Sequence, residues 1–119
     1  MAATTGSLHD LLRPQRDRDN VDAWRWAVSR QLVPVRDRLL REHAVHPEAW
    51  LSARAGRALH ERDLLVERLN RLASEVLIVP DVDAVAGRLS RLLGDIEHHF
   101  QRLHDLAYDD VELEIGGSE

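Results

Sequence analysis

The chain has 119 residues and a formal net charge of −5, and 44% of its residues are apolar but only 4% are aromatic. This composition predicts one globular domain with a core of leucine, valine and alanine, and the absence of cysteine excludes disulfides and thiolate chemistry. The negative net charge argues against a nucleic-acid partner. No stretch of the sequence approaches the roughly 20 consecutive apolar residues of a membrane span. We therefore expect a cytoplasmic protein that binds neither nucleic acid nor membranes.

The amino-terminal residues 1–20 form a predicted flexible segment, in which the stretch SLHDLL favours one short helical turn. A first long helix is predicted from residue 21 to 44, with Asn20 as its N-cap. Pro34 lies inside this helix. Its ring crowds the preceding turn and removes the backbone donor for Arg30, so we expect a kink or a break there.

Two further segments have apolar residues at helical spacing, residues 47–77 and residues 82 to at least 108. Pro47 suits the first position of the earlier helix, and Asp81 suits the N-cap of the later one. Three long amphipathic helices joined by short turns predict an all-α fold, an antiparallel three-helix bundle that covers residues 21–110.

Residues 111–119 form a predicted acidic C-terminal tail. Val111, Leu113 and Ile115 alternate with glutamates, which is the period of a strand. We therefore expect an extended arm whose apolar side docks on its own bundle, on a second copy or on a partner. The alternative is that the last helix continues through this segment.

Histidines are candidate metal ligands near one end of the predicted bundle. At 100° per residue, His104 points towards the apolar stripe of the last helix, whereas His60 and His98 face water. Antiparallel packing brings His104 near the end of the first helix, where His43 and His46 lie on the apolar side. Such a cluster suits iron or zinc. The alternative is a set of hydrogen-bonded core histidines and no cofactor.

The stretch EHHFQRLHDLAYDD, with histidines near the ends of long helices, resembles the hemerythrin-type helical bundles. That family carries a non-haem di-iron site for oxygen binding or sensing. Its His-x-x-x-x-Asp motif is matched by His104 and Asp109, and the resemblance implies these two residues as metal ligands. The chain departs from the family's His-x-x-x-Glu motif, because Leu64 stands four residues after His60, and no two histidines are four residues apart.

A second resemblance covers most of the chain. The stretches DAWRWAV, VPVRDRLL and LAYDDVELEIGGSE are similar to small uncharacterised helical proteins of actinobacteria. This resemblance implies a source and no particular activity.

A buried ion pair is predicted between the second and third long helices. Arg62 lies close to the centre of its apolar stripe, and its guanidinium cannot lose its charge. In an antiparallel bundle, Glu97 of the third long helix lies at the same height as Arg62 and can accept its hydrogen bonds. Gln31 of the first helix lies at this height too and is a candidate third member of the buried polar group. The alternative is that the arginine stem lies along the core and its head reaches the surface.

No catalytic motif is found, since there is neither a glycine-rich phosphate loop nor a Ser-His-Asp arrangement on a strand–turn–helix. Trp24 and Trp26 lie about 200° apart on one helix, so they cannot share a face, and Trp26 is the candidate contact for a partner. The leading hypothesis is a non-enzymatic helical bundle that acts as a binding or structural partner of another protein or of a second copy. The alternative is a degenerate hemerythrin-like protein that binds iron or zinc.

Overall fold

The fold is all-α over the residues that the computed structural model describes, which are 8–13, 20–45 and 53–117, with side chains described at 8–13, 20–41 and 56–105. These ranges contain no strand, and the predicted all-α class is confirmed. The helices are α1 (8–12), α2 (Val21–Val45), α3 (Ala53–Ile78) and α4 (Val82–Gly117). None of the described helices combines the length and the apolarity that crossing a bilayer requires.

Two helices begin at the N-caps predicted from the sequence. The Oδ1 atom of Asn20 accepts a hydrogen bond of 3.0 Å from the backbone N–H of Ala23, at the start of α2. The Oδ1 atom of Asp81 accepts one of 3.1 Å from the backbone N–H of Ala84, at the start of α4. Each cap satisfies a first-turn donor that has no partner inside the helix.

One apolar core joins all four helices. Each long helix contributes a stripe of leucine, valine, isoleucine or alanine at helical spacing, because only such a stripe removes one whole side of the helix from water. The buried apolar members are Leu8, Leu12, Trp24, Val28, Leu32, Val35, Leu39, Leu65, Leu69, Leu72, Val76, Val85, Ala86, Leu89, Leu92, Leu93, Ile96, Phe100 and Leu103.

Polar contacts show which parts of α2 and α3 lie side by side. Arg25, near the start of α2, donates hydrogen bonds to the carbonyl oxygens of Val76 and Val79 at the end of α3. These carbonyls lack helical donors, and a cation also suits the negative end of the helix dipole. Further along α2, Arg36 donates to Asn70 Oδ1 at 3.3 Å.

The short helix α1 is attached to both α2 and α4. The indole Nε1–H of Trp24 donates a 2.8 Å hydrogen bond to the carbonyl oxygen of Leu11. The Nε2 atom of His9 forms a hydrogen bond with the Oε1 atom of Glu97 of α4. Since Leu8 and Leu12 are buried in the same core, α1 forms part of the packed structure.

Pro34 lies inside α2 without splitting it. The helix runs from Val21 to Val45 without interruption, so the predicted break is wrong, while a kink stays a prediction. Pro34 and Arg30 are both exposed. Water can therefore bind the Arg30 carbonyl that lost its backbone donor, and the helix tolerates the proline.

The carboxyl-terminal segment is helical and not extended. Helix α4 continues to Gly117, so the predicted extended conformation is wrong for residues 111–117, and the continuing helix is confirmed. A single strand without a neighbour leaves its backbone groups unpaired, whereas a helix pairs them internally. The side chains of Val111, Leu113 and Ile115 lie outside the described residues, and their docking stays a prediction.

The N-cap of α4 provides a test of this fold. Replacing Asp81 with alanine should lower the free energy of unfolding by about 1 kcal/mol, because the N–H of Ala84 loses its acceptor. The Asp81→Asn variant should keep most of the stability, since an amide oxygen accepts the same bond. Urea unfolding of the three proteins measures both changes. Equal stability of wild type and Asp81→Ala would show that the cap does not contribute.

Candidate functional site

The predicted metal ligands are not assembled in the part of the chain that is described. His104 is exposed, so its predicted inward orientation is wrong. The side chains of His43, His46 and Asp109 lie outside the described residues. Among the residues that are described, no three histidine, cysteine, aspartate or glutamate side chains are grouped to hold a metal ion. Iron or zinc binding stays a prediction.

The buried side of α4 explains the error at His104. Its buried residues recur every seven positions, as in Val85, Leu92 and His99. A seven-residue repeat drifts by about 20° per heptad around a helix with 3.6 residues per turn. Over two heptads this drift turns the apolar side towards His99 and away from His104. His60 and His98 are exposed, as predicted.

His99 is the only polar residue buried in the core among the described side chains, and Glu61 holds its ring. The Nδ1 atom of His99 is 2.7 Å from the Oε1 atom of Glu61. Arg102 donates to the same oxygen through Nε at 3.0 Å and through Nη2 at 2.7 Å. Glu61 belongs to α3 and the other two to α4, so the cluster fixes these helices against each other.

The electrostatics of this cluster favour an ionised Glu61. Burial by itself raises the pKa of the carboxyl, but the hydrogen bonds and charges of Arg102 and His99 outweigh burial. The pKa of Glu61 therefore lies below its ordinary value of 4.5. An ionised carboxylate only accepts hydrogen bonds, so the Nδ1 atom of His99 carries the proton that joins them.

The second ring nitrogen of His99 has a different environment. Nε2 is buried and has no hydrogen-bond partner in the described part of the chain. A carboxylate-held imidazole with a free Nε2 is the arrangement found in metal-binding and general-base histidines. Here the ring is 0% exposed, so Nε2 is enclosed in the core beside Phe100 and closed off from bulk solvent. The described contacts of the cluster join α3 to α4.

The predicted Arg62–Glu97 ion pair is not formed. The Nη2 atom of Arg62 is 2.9 Å from the Oδ1 atom of its neighbour Asp63, and its side chain is 15% exposed. Glu97 is exposed and pairs with His9 of α1. Gln31 is partly buried.

The register between α3 and α4 explains this error. At the height of Glu61, the residues of α4 that face α3 are His99 and Arg102. Glu97 lies on the side of α4 that faces α1, so it cannot reach Arg62. Predicting the correct partners requires the rotation of α4 about its own axis. Aligning the helices by height alone does not give this rotation.

A groove between α3 and α4 is lined mainly by arginines. Its lining residues are Arg68, Arg71, Leu72, Glu75, Arg88 and Arg91. Arg68 is 2.8 Å from Asp95, and Arg88 is 3.5 Å from Glu75. These arginines thus belong in part to an ion-paired helix surface, as the alternation of arginines and acids along the sequence predicts.

Helix α2 has a second apolar stripe on the side away from its core. Trp26, Val33 and Leu40 are seven residues apart and are 65%, 53% and 48% exposed. At 100° per residue they lie within about 40° of one another and roughly 140° from the buried stripe. Seven-residue spacing on an exposed face is typical of a helix that packs along another helix. We call Trp26, Val33 and Leu40 the outer stripe.

The comparisons with known proteins add no identification. No protein family model, no curated protein and no solved structure matches this chain. The resemblances to hemerythrin-type bundles and to actinobacterial helical proteins stay predictions.

The ionised Glu61 gives a prediction about pH. Its pKa is lower in the folded chain than the ordinary 4.5, so its stabilising effect is complete above that pH and is lost as the pH falls through the lowered value. Glu61→Gln should therefore be less stable than wild type near neutral pH, and the difference should shrink in acid. Urea unfolding at a series of pH values measures this difference.

The matched control for Glu61 is Glu67→Gln, on the same helix. The Glu67 side chain is exposed and lies 3.8 Å from Arg71, so this variant should remain close to wild type at every pH. A difference between Glu61→Gln and wild type that stays constant from neutral to acid pH would contradict the assigned ionisation.

The hydrogen bond between Glu61 and His99 also fixes a tautomer. In the neutral ring of His99 the proton should reside on Nδ1, because the carboxylate needs a donor there. Long-range ¹H–¹⁵N NMR at about pH 8 distinguishes the two tautomers. Exposed His60 and His98 serve as references, since nothing described holds their rings in one tautomer. A His99 ring that carries its proton on Nε2 would refute the geometry.

Proposed function

We propose that this chain is a non-enzymatic cytoplasmic scaffold that binds a protein partner through the outer stripe of α2. In this proposal α2, α3 and α4 form an antiparallel three-helix bundle, with α1 packed beside it. The bundle is supported by contacts that run in opposite order along neighbouring helices. Arg25 and Arg36 of α2 contact Val79 and Asn70, and Arg68 and Glu61 of α3 contact Asp95 and His99. Its role is to hold α2 rigid, with one face in the core and one face open.

The observation that carries the proposal is the exposure of three large apolar side chains in one line. Single exposed apolar residues are ordinary, but three on one side of one helix favour an interaction surface. Fully burying a large apolar side chain stabilises by about 1.5–3 kcal/mol relative to leaving it exposed. The outer stripe is about half exposed, so covering it contributes roughly 3 kcal/mol, which suits a modest, reversible contact.

The buried polar residues in the described part of the chain support a packing role and not a catalytic one. The one carboxylate–histidine pair in the core, Glu61 with His99, has its free nitrogen closed off from solvent. General acid–base chemistry needs a nitrogen within reach of a substrate. An interaction through the surface of α2 requires no such access.

Two leucines of nearly equal exposure allow a matched test. Leu40, in the outer stripe, is 48% exposed, and Leu64, on α3, is 49% exposed. Leu40→Glu should reduce protein captured from a lysate of the source organism at least about tenfold, because a buried unpaired charge is costly at an interface. Leu64→Glu should capture as much as wild type. Quantitative mass spectrometry of the captured protein, including untagged copies of the chain itself, provides the measurement.

Circular dichroism and thermal unfolding show whether both variants fold like wild type, as expected for exposed positions. Equal capture by wild type, Leu40→Glu and Leu64→Glu would refute the proposal. Loss of capture with Leu64→Glu alone would move the interaction surface to the face of α3 that carries Leu64.

A further inference from the structure

We propose that the partner of the outer stripe is the same stripe of a second copy, packed against it in antiparallel direction about a two-fold axis at Val33. This inference rests on the proposed function and specifies the partner. In a two-fold antiparallel pair about Val33, residues of the stripe whose numbers add up to 66 lie level with each other. Val33 then meets Val33 of the second copy, and Trp26 meets Leu40 of the second copy.

The stripe has the length and spacing for such a contact. Trp26 and Leu40 are 14 residues apart, which corresponds to about 21 Å along the helix. The seven-residue spacing keeps the row on one side of the helix, as in antiparallel helical pairs. The large indole lies opposite a leucine in this register, and the smaller valine lies at the axis, where the two helices approach most closely.

The charges beside the stripe are self-complementary in this register. Arg30 and Asp37 follow Trp26 and Val33 by four residues, so they form a parallel row along one flank of the stripe. In an antiparallel pair each flank meets the same flank of the other copy. The numbers of Arg30 and Asp37 add up to 67, so Arg30 lies only about 1.5 Å along the axis from the level of Asp37 of the second copy, on the same flank. Both side chains span this offset, which gives two ion pairs related by the two-fold axis.

Both groups are available for this pairing. Arg30 and Asp37 are exposed, and within the described part of the chain neither forms an ion pair. On the opposite flank, Arg36 lies within one residue of the level of Ser29 of the second copy, whose hydroxyl is buried, so no like charges meet there. A parallel arrangement instead brings Asp37 near Arg36, which already binds Asn70 at 3.3 Å, and leaves Arg30 without an acidic partner.

The contact is small, so the association is weak and depends on concentration. A single helix pair buries less surface than a standard stable interface, and ordering the side chains opposes binding. We expect a dissociation constant on the order of 10–100 µM. The two ion pairs then determine direction and register more than affinity.

Charge reversal tests the register. Sedimentation velocity from about 1 µM to 1 mM should detect the dimer of wild type. Arg30→Asp alone and Asp37→Arg alone should each weaken it about tenfold, since attraction becomes repulsion at both pairs. The double variant should recover wild-type affinity within about twofold, because the pairs form again with reversed charges.

A mixture provides an independent check. The Arg30→Asp variant has two acidic side chains on this flank, and the Asp37→Arg variant has two basic ones. In an equimolar mixture the two variants should therefore form heterodimers with at least the affinity of the wild-type homodimer. The matched control is Arg57→Asp on α3, which makes the same charge change at an exposed position away from α2. It should leave the dimer unchanged.

Each remaining outcome overturns part of the inference. Wild type that stays monomeric at about 1 mM refutes the second copy as partner, while loss of captured protein by Leu40→Glu still supports the proposed function. A dimer that Asp37→Arg weakens and the double variant does not restore indicates the parallel arrangement. A dimer that is insensitive to Leu40→Glu forms elsewhere on the molecule, and it refutes the outer stripe as its interface.

Discussion

Helix α2 has apolar residues on two opposite sides, and a helix can turn only one side to the core of its own chain. The buried side, which includes Val28 and Val35, packs with α3 and α4, whereas the outer stripe of Trp26, Val33 and Leu40 faces water. Both rows repeat every seven residues, so each can pack along a straight helical neighbour. The inner row has its neighbours in the chain, and in the proposed function the outer row packs on a partner.

The polar groups of the structure hold α2 in this position. Arg25 attaches the start of α2 to the last carbonyls of α3, and Trp24 attaches it to α1 through the carbonyl of Leu11. The cluster of Glu61, His99 and Arg102 fixes α4 against α3 from inside the core. Because a buried histidine without its acceptor is costly, this cluster disfavours other rotations of α4. Together these contacts present the outer stripe on a rigid surface.

Local features of this fold were predictable from the sequence, because they depend on neighbours within one helix. The all-α class and the caps at Asn20 and Asp81 follow from periodicity and from the donors of the first turn. The angle between Trp24 and Trp26 likewise predicts that they lie on different faces, and Trp24 is buried while Trp26 is exposed. These predictions are confirmed because none of them requires knowledge of how one helix is rotated against another.

The remaining predictions depended on rotation, register or competing local preferences. His104 was predicted to point inward, but the buried side of α4 drifts over two heptads and covers His99 instead. The repeat of Val85 and Leu92 was the signal for a buried residue 99. Glu97 was predicted to face α3 because it lies at the same height as Arg62. The rotation of α4 about its axis directs Glu97 towards His9 of α1 instead. In the last segment, alternation favours a strand, but a lone strand has no neighbour to pair its backbone groups. The helix pairs them internally and continues.

The most direct measurement of the central claim is methyl NMR over a range of protein concentration. The outer stripe and the other exposed apolar positions contain methyl groups of similar exposure, with Val33 and Leu40 on α2 and Leu64 and Leu77 on α3. If α2 associates through its outer face, the Val33 and Leu40 resonances shift with concentration, and those of Leu64 and Leu77 stay fixed. Shifts confined to Leu64 and Leu77 would contradict the account, and so would four sets of resonances that remain unchanged at millimolar concentration.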